Sequence, residues 1–200
     1  MVMEREAPKL VLASASEVRA TILGGAGISF DICPSLVDEG LLKGALTSGP
    51  DLALALAAEK AREVAAKHPD YLVLGADQVL SCDGKLFDKP CDLDEARRNL
   101  LFLRGKTHHL INGMVLTLND ELIWQNTTTA SLTMRKFSDT FLDMYLSRAG
   151  SSILSSVGCY RLEAEGSQLF EKIDGDYFTI LRLPLIPLLE ALREHGVAVV

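Results

Sequence analysis

The residues best suited to chemistry in this chain are two acids, Asp77 and Glu39, two amines, Lys60 and Lys89, and a serine–arginine group at Ser14, Ser16 and Arg19. Asp77 interrupts an apolar stretch, with Tyr71-Leu72-Val73-Leu74 before it and Val79-Leu80 after it. A carboxylate in such a strand costs free energy unless it is paired or binds a metal, so Asp77 is a candidate for acid–base or metal work, a structural network being the alternative. Glu39 stands beside Asp38 in a loop-like stretch over 35–43. Adjacent acids in a loop are ordinarily solvated, but they are also what a hard cation uses. Lys60 lies four residues from both Leu56 and Val64, at the border of a helix's apolar arc, where its amine either snorkels to water or is held over a cleft. Lys89 is followed by the rigid Pro90.

The serine–arginine group follows a short apolar run, Leu10-Val11-Leu12-Ala13. A strand that turns through small hydroxyl residues into a helix leaves backbone N–H groups facing open space, and with the helix dipole these favour an anion. Ser14 and Ser16 add hydroxyl donors, and Arg19 a forked cation suited to phosphate. The same stretch also reads as an ordinary helix N-cap by Ser16, with Arg19 solvated.

The elements that must position these groups alternate strand and helix. The pattern predicts strands at 10–13, 28–33 and from 71, the last broken at Gly75-Ala76, with helices from about 20 to 23 and over 51–67, Pro50 suiting the latter's first turn. Asp83-Gly84 predicts a hairpin turn. A helix over 93–104 is expected with Asp92 as its cap and Gly105 as its stop. Two long strands, 107–118 and 122–136, are joined at Asn119-Asp120, then a helix capped by Ser138 and a last amphipathic helix opened by Pro184. His108 and His109 are not spaced with any other histidine, so one is expected in the core or as a hydrogen-bond anchor. No repeat or linker divides the chain, and one domain over 1–200 is expected.

Composition narrows the partners. With 48% hydrophobic residues in 200, the chain can bury one sizeable core. Its 20 basic and 27 acidic residues give a net charge of −7, which disfavours long nucleic acid but leaves room for a small phosphate ligand on a local patch. A charged N-terminus and no span long enough for a bilayer point to the cytoplasm. Cys33, Cys82, Cys91 and Cys159 lack metal-ligand spacing and read as ordinary thiols. No Walker-A loop is present, which disfavours a P-loop ATPase.

Taken in order, several short segments resemble the Maf (septum formation) family of nucleoside triphosphate pyrophosphatases over essentially the whole length. They are Leu10-Val11-Leu12-Ala13-Ser14-Ala15-Ser16, Pro34-Ser35-Leu36-Val37-Asp38-Glu39, Ala58-Glu59-Lys60-Ala61, Gly75-Ala76-Asp77-Gln78-Val79, Lys89-Pro90, Gly105-Lys106-Thr107-His108, Gly175-Asp176-Tyr177-Phe178 and Leu183-Pro184-Leu185. The resemblance implies an α/β fold, an elongated, mixed, twisted sheet flanked by helices with a central cleft, similar to the inosine triphosphatase architecture. It implies a divalent cation, Mg²⁺ or Mn²⁺, and cleavage of a nucleoside triphosphate between the α- and β-phosphates to give a monophosphate and pyrophosphate. Carried over residue by residue, Glu39 and Asp77 would hold the metal and Asp77 would also orient or deprotonate the water. Lys60 and Lys89 would hold the phosphates, and Ser14, Ser16 and Arg19 would form their cradle. Gln78 and Glu163 resemble the branch preferring 7-methyl-GTP, and one carboxylate can accept both N1–H and N2–H of guanine. The resemblance also suggests a homodimer. The chain departs from the family pattern at Glu17-Val18, at Asp88 and at Arg182, which keeps a second reading open: a nucleotide-binding regulator of cell division with little turnover.

Overall fold

In a computed structural model describing residues 7–198, one mixed sheet carries the whole architecture. Its strands are β1 (Leu10–Leu12), β2 (Asp31–Ile32), β3 (Leu72–Cys82), β4 (Lys85–Phe87), β5 (Thr107–Leu118), β6 (Glu121–Met134) and β7 (Phe170–Asp174), in the order β2-β1-β3-β5-β6-β7 with β4 on β3. β1 runs parallel to both β2 and β3, while β3, β5, β6 and β7 pair antiparallel. Helices α1 (Glu17–Gly25), α3 (Gly49–Ala65), α4 (Leu93–Leu103), α5 (Asp139–Ala149) and α7 (Leu185–Glu194) cover it, with the short α2 (Gly40–Ala45) against α3 and α6 (Tyr177–Ile180) against β5 and β6. The α/β class, mixed sheet and flanking helices are those expected from the sequence.

β3 organises the rest. Its first part, Leu72–Leu74, pairs with β1, and its last part, Leu80–Cys82, pairs with β4 on the same edge. Between them that edge carries no strand over residues 75–79, and Asp77 sits in the gap. The opposite edge is continuous, with Asp77 level with Gly113 of β5. Side chains alternate across a strand, so Asp77 and the neighbouring Gly75 face α3, whereas Gln78 faces α6.

The approach of α3 explains both glycines. A Cβ on Gly75 would lie 2.0 Å from the Ala57 carbonyl oxygen, and one on Gly113 would lie 2.4 Å from that of Ala53. The helix therefore lies directly on backbone, with Leu56, Ala57, Ala61 and Val64 buried beneath it. Burying each large apolar side chain there contributes about 1.5–3 kcal/mol. Gly75 does not break the strand, as its type led us to expect; β3 runs through it unbroken to Cys82. The glycine marks close packing instead of a turn.

Two apolar cores lie at opposite ends of the sheet. One gathers Leu10, Leu12, Leu23, Leu74 and Leu116 under α1 and α7. The other gathers Leu80, Phe87, Leu100, Leu132, Leu146 and Tyr160 under α4 and α5. Two further local expectations differ from the structure. The strand expected over 28–33 is only Asp31–Ile32, and the loop expected over 35–43 gives way to α2 from Gly40; β7 lies where no element was predicted. In each case a short element is fixed by its partners more than by its own pattern. The charged N-terminal segment read as evidence against a signal peptide lies outside the described residues.

Candidate functional site

The gap in the β3 edge opens into a cavity of about 640 Å³ between the two cores. Ser14, Ser16, Arg19, Glu39, Lys60, Asp77, Gln78, Lys89 and Glu163 all line it. The structure thus brings every candidate site residue carried over from the resemblance to one place, from six separate segments of chain.

At its centre Lys60 is shared between two carboxylates. Its Nζ lies 2.5 Å from Asp77 Oδ1 and 2.6 Å from Glu39 Oε1. The helix brings Lys60 here because Gly75 lets α3 sit on the strand. Glu39 is the N-cap residue of α2 and also meets Lys43 at 2.8 Å, and Lys43 in turn reaches Asp88 at 2.7 Å. Burial pushes the Glu39 carboxyl up, but the hydrogen bonds from Lys43 and Lys60 outweigh it and hold the group down at about 2. Glu39 is therefore charged at neutral pH, and both acids pair with the same ammonium. Asp38, the other acid of the pair, is exposed and accepts from the Gly40 amide at 2.9 Å.

Of the ordinary reading of the serine–arginine group, the cap holds and the solvated arginine does not. Ser16 caps α1, its side chain accepting from the Arg19 amide at 3.4 Å. Arg19 is not solvated: it is 6% exposed, donating from Nη1 to Ser14 Oγ at 3.0 Å and from Nε to the Arg182 carbonyl at 3.0 Å. Ser14 Oγ also accepts from the Ser16 amide at 3.2 Å, so its own hydrogen remains for a ligand. Burial lowers Arg19 to about 10, with Asp77 opposing and Arg182 adding to the shift; it stays charged at neutral pH. Lys89 carries no ion pair among the described residues. Burial, then the charges of Arg182, Arg19 and Lys60, lower its pKa.

On the far wall Glu163 Oε1 accepts from Arg161 Nε at 2.9 Å, which leaves Oε2 to accept from a ligand. The Gln78 amide nitrogen is used structurally, donating to Asn112 Oδ1 at 3.3 Å and to the Thr179 and Ile180 carbonyls at 3.2 and 3.3 Å. Only its carbonyl oxygen is left for a ligand. Sequence reasoning passed over Tyr160, Arg161 and Ser156, which line the same cavity; they come from the segment after α5, whose irregular pattern gave no signal. His108 is a buried anchor, its Nε2 2.7 Å from Tyr160 Oη.

Among the described residues no group of three His, Cys, Asp or Glu side chains could hold a metal. Two carboxylates on one ammonium nonetheless suit a hard cation whose remaining positions are filled by phosphate oxygens and water, the usual way Mg²⁺ is held. All four cysteines are free. Among the described residues no helix is long and apolar enough to cross a membrane.

Relatives share this chain nearly end to end. It is 46% identical to a nucleoside triphosphate pyrophosphatase of Granulibacter bethesdensis over 94% of this chain and 97% of that protein. It is 47% identical to a 7-methyl-GTP pyrophosphatase of Rhizobium meliloti, again over 94% and 97%. A nucleoside triphosphate pyrophosphatase of Paramagnetospirillum magneticum is 48% identical over 93% of this chain and 98% of its own length. Among solved structures, a dITP/XTP pyrophosphatase from Mycobacterium abscessus is similar at a TM-score of 0.40 and 17% identity, covering 64% of this chain and 74% of that one. The Maf-like protein family matches residues 9–195, which include every cavity residue described above, and the chain belongs to that family.

Proposed function

We propose that this chain hydrolyses nucleoside triphosphates between the α- and β-phosphates, releasing a nucleoside monophosphate and pyrophosphate. The convergence of Asp77, Glu39, Lys60, Lys89, Ser14 and Arg19 on one cavity carries the reading. Its volume of about 640 Å³ suits a nucleotide-sized ligand, and the relatives' names agree with the chemistry.

Asp77 is the group placed to orient or deprotonate a water. Its Oδ1 is held by Lys60, which fixes the carboxylate while leaving Oδ2 to accept a proton. Lys60 and Lys89 contribute point charges to the phosphates, and Arg19 with Ser14 contributes donors at the start of α1. The amides of Glu17 and Val18 open that helix without helical partners of their own. Glu39 and Asp77 would hold a divalent cation, Mg²⁺ or Mn²⁺, which when bound neutralises phosphate charge and polarises the scissile group. In this reading Glu163 Oε2, the oxygen not bonded to Arg161, accepts from the Watson–Crick edge of a guanine, and 7-methyl-GTP is the preferred triphosphate, a choice supported by the name of one relative.

The experiment is pyrophosphate release from a panel of triphosphates, including 7-methyl-GTP, dTTP and UTP, with Mg²⁺ or Mn²⁺. Release should stop on chelation, and Asp77→Asn should lower kcat by about 100-fold or more. Fastest turnover of dTTP or UTP would overturn the base assignment. Nucleotide binding with no release would favour the regulator reading instead.

A further inference from the structure

Arg182 is the cavity residue least accounted for by the machinery above. It lies between α6 and α7, and its backbone stands at φ +77°. The left-handed region is costly for a side chain with a Cβ. Asp70, Asp83, Asn119 and Asp120 share it, but those are the types that tolerate it, as short polar residues in turns. Cys159 shares it too, as a buried thiol in the core beneath α4. Arg182 instead lines the open cavity. A glycine would hold this turn without strain, so the arginine is retained against the local backbone preference.

Its charge is also unmatched. Lys60 is neutralised by Asp77 and Glu39, and Arg161 by Glu163. Arg19 donates only to neutral oxygens, one of them the Arg182 carbonyl itself. Among the described residues neither Lys89 nor Arg182 has an ion pair, and the Arg182 side chain has no hydrogen-bond partner. Burial, the largest influence on it, disfavours the charged guanidinium. The largest charge acting on Lys89 is that of Arg182. Two unpaired cations thus stand close enough to repel one another, with the buried Arg19 beside them. Such a cluster is stable as a binding site only when an anion completes it.

We infer that Arg182 is a phosphate-binding residue, its guanidinium gripping the substrate's polyphosphate together with Lys89 and Arg19. The inference rests on the triphosphate reading above and adds a residue to it. The forked donors suit two oxygens of a phosphate group, which a lysine would hold only as a point charge. Glu163 and Asp77 favour its charge from a distance, but among the described residues no acid reaches ion-pair distance of the guanidinium, so a wholly structural Arg182 has no bonded partner.

The test is calorimetric titration of the full chain with inorganic tripolyphosphate, on wild type, Arg182→Gly and Arg182→Lys. Arg182→Gly should weaken binding about 10- to 100-fold, the loss expected for a charged hydrogen-bonded contact. It should also raise Tm by roughly 2–4 °C, since glycine removes the backbone strain. Arg182→Lys should recover part of the affinity and none of the gain in Tm. Adenosine, which lacks phosphate, should bind all three alike. Tripolyphosphate affinity unchanged in Arg182→Gly would overturn the assignment even if nucleotide hydrolysis were intact. Conversely, a wild-type chain that hydrolysed no triphosphate but lost tripolyphosphate binding on Arg182→Gly would break the pyrophosphatase reading and keep this one.

Discussion

A single buried imidazole shows how much one side chain can tie stability to pH. His108 is fully buried on β5, with Nε2 on Tyr160 Oη and Nδ1 lacking any partner. Protonation would bury a charge and an orphaned N–H donor. Burial, helped by the neighbouring His109, accordingly lowers its pKa from 6.5 to about 4. Because the folded value lies below the unfolded one, the unfolded chain takes up the proton first. The stabilisation is complete above pH 6.5 and is lost as pH falls towards 4, by about 3 kcal/mol. His108→Gln keeps a group that can bond Tyr160 but binds no proton. Denaturant unfolding between pH 7 and 4 should show a shallower loss of stability in the variant than in wild type. Parallel curves would show that His108 is not the group being titrated. Glu39 does not confuse this window, since it is held near 2.

At the scale of elements, the geometry of the Lys60–Asp77 pair depends on how closely α3 lies on β3. Lys60 reaches Asp77 because no side chain at residue 75 holds the helix away. Gly75→Ala would place a methyl 2.0 Å from the Ala57 carbonyl and 2.9 Å from the Ala61 amide. Both contacts are backbone, so the helix itself must move. The expected cost is about 1–3 kcal/mol or more, together with a loss of pyrophosphate release larger than the loss of folded protein. An active, unperturbed Gly75→Ala would show that the helix–strand spacing does not set the Lys60–Asp77 pair. This element also separates what could be read in the sequence from what could not. Asp77 was legible because an acid in an apolar strand is costly by itself, and Lys60 because helical spacing fixes its face. Asp92 and Ser138 were legible as caps, and both accept from the amide three residues on. Gly75 was not legible: a glycine in a strand pattern signals either a break or a close approach, and only the position of α3 decides. Nor was α2 legible. Four of its six residues are glycine or leucine, it buries none of them, and it is held in place by the Lys43 bridges to Glu39 and Asp88. Arg182 stood out only as a departure from a family pattern, and its lack of a partner emerged once the chain was folded.

For the whole molecule, the question is which charge an incoming polyphosphate feels. The chain carries a net −7, which at long range repels a triphosphate. The cavity adds cations of its own, since Arg19, Lys89 and Arg182 form no ion pair among the described residues, with Glu39, Asp77 and Glu163 acting on them only from a distance. Distance decides between them. At physiological salt, charges more than about 8 Å apart are largely screened, so the acids scattered over the surface fade while the cations lining the cavity act at contact. The local cluster should therefore win at ordinary ionic strength. Raising a non-coordinating salt from about 0.1 to 0.5 M shortens the screening length further. It should then lower kcat/KM for a triphosphate several-fold, chiefly through KM, because the cations without an ion pair lie at contact and their attraction is what the salt weakens. If the net charge dominated, the same salt would relieve repulsion and kcat/KM would rise. The sign of the slope separates the two cases without any mutation. Arg182→Gly should flatten the slope, since it removes one of the three charges that make the cavity attractive.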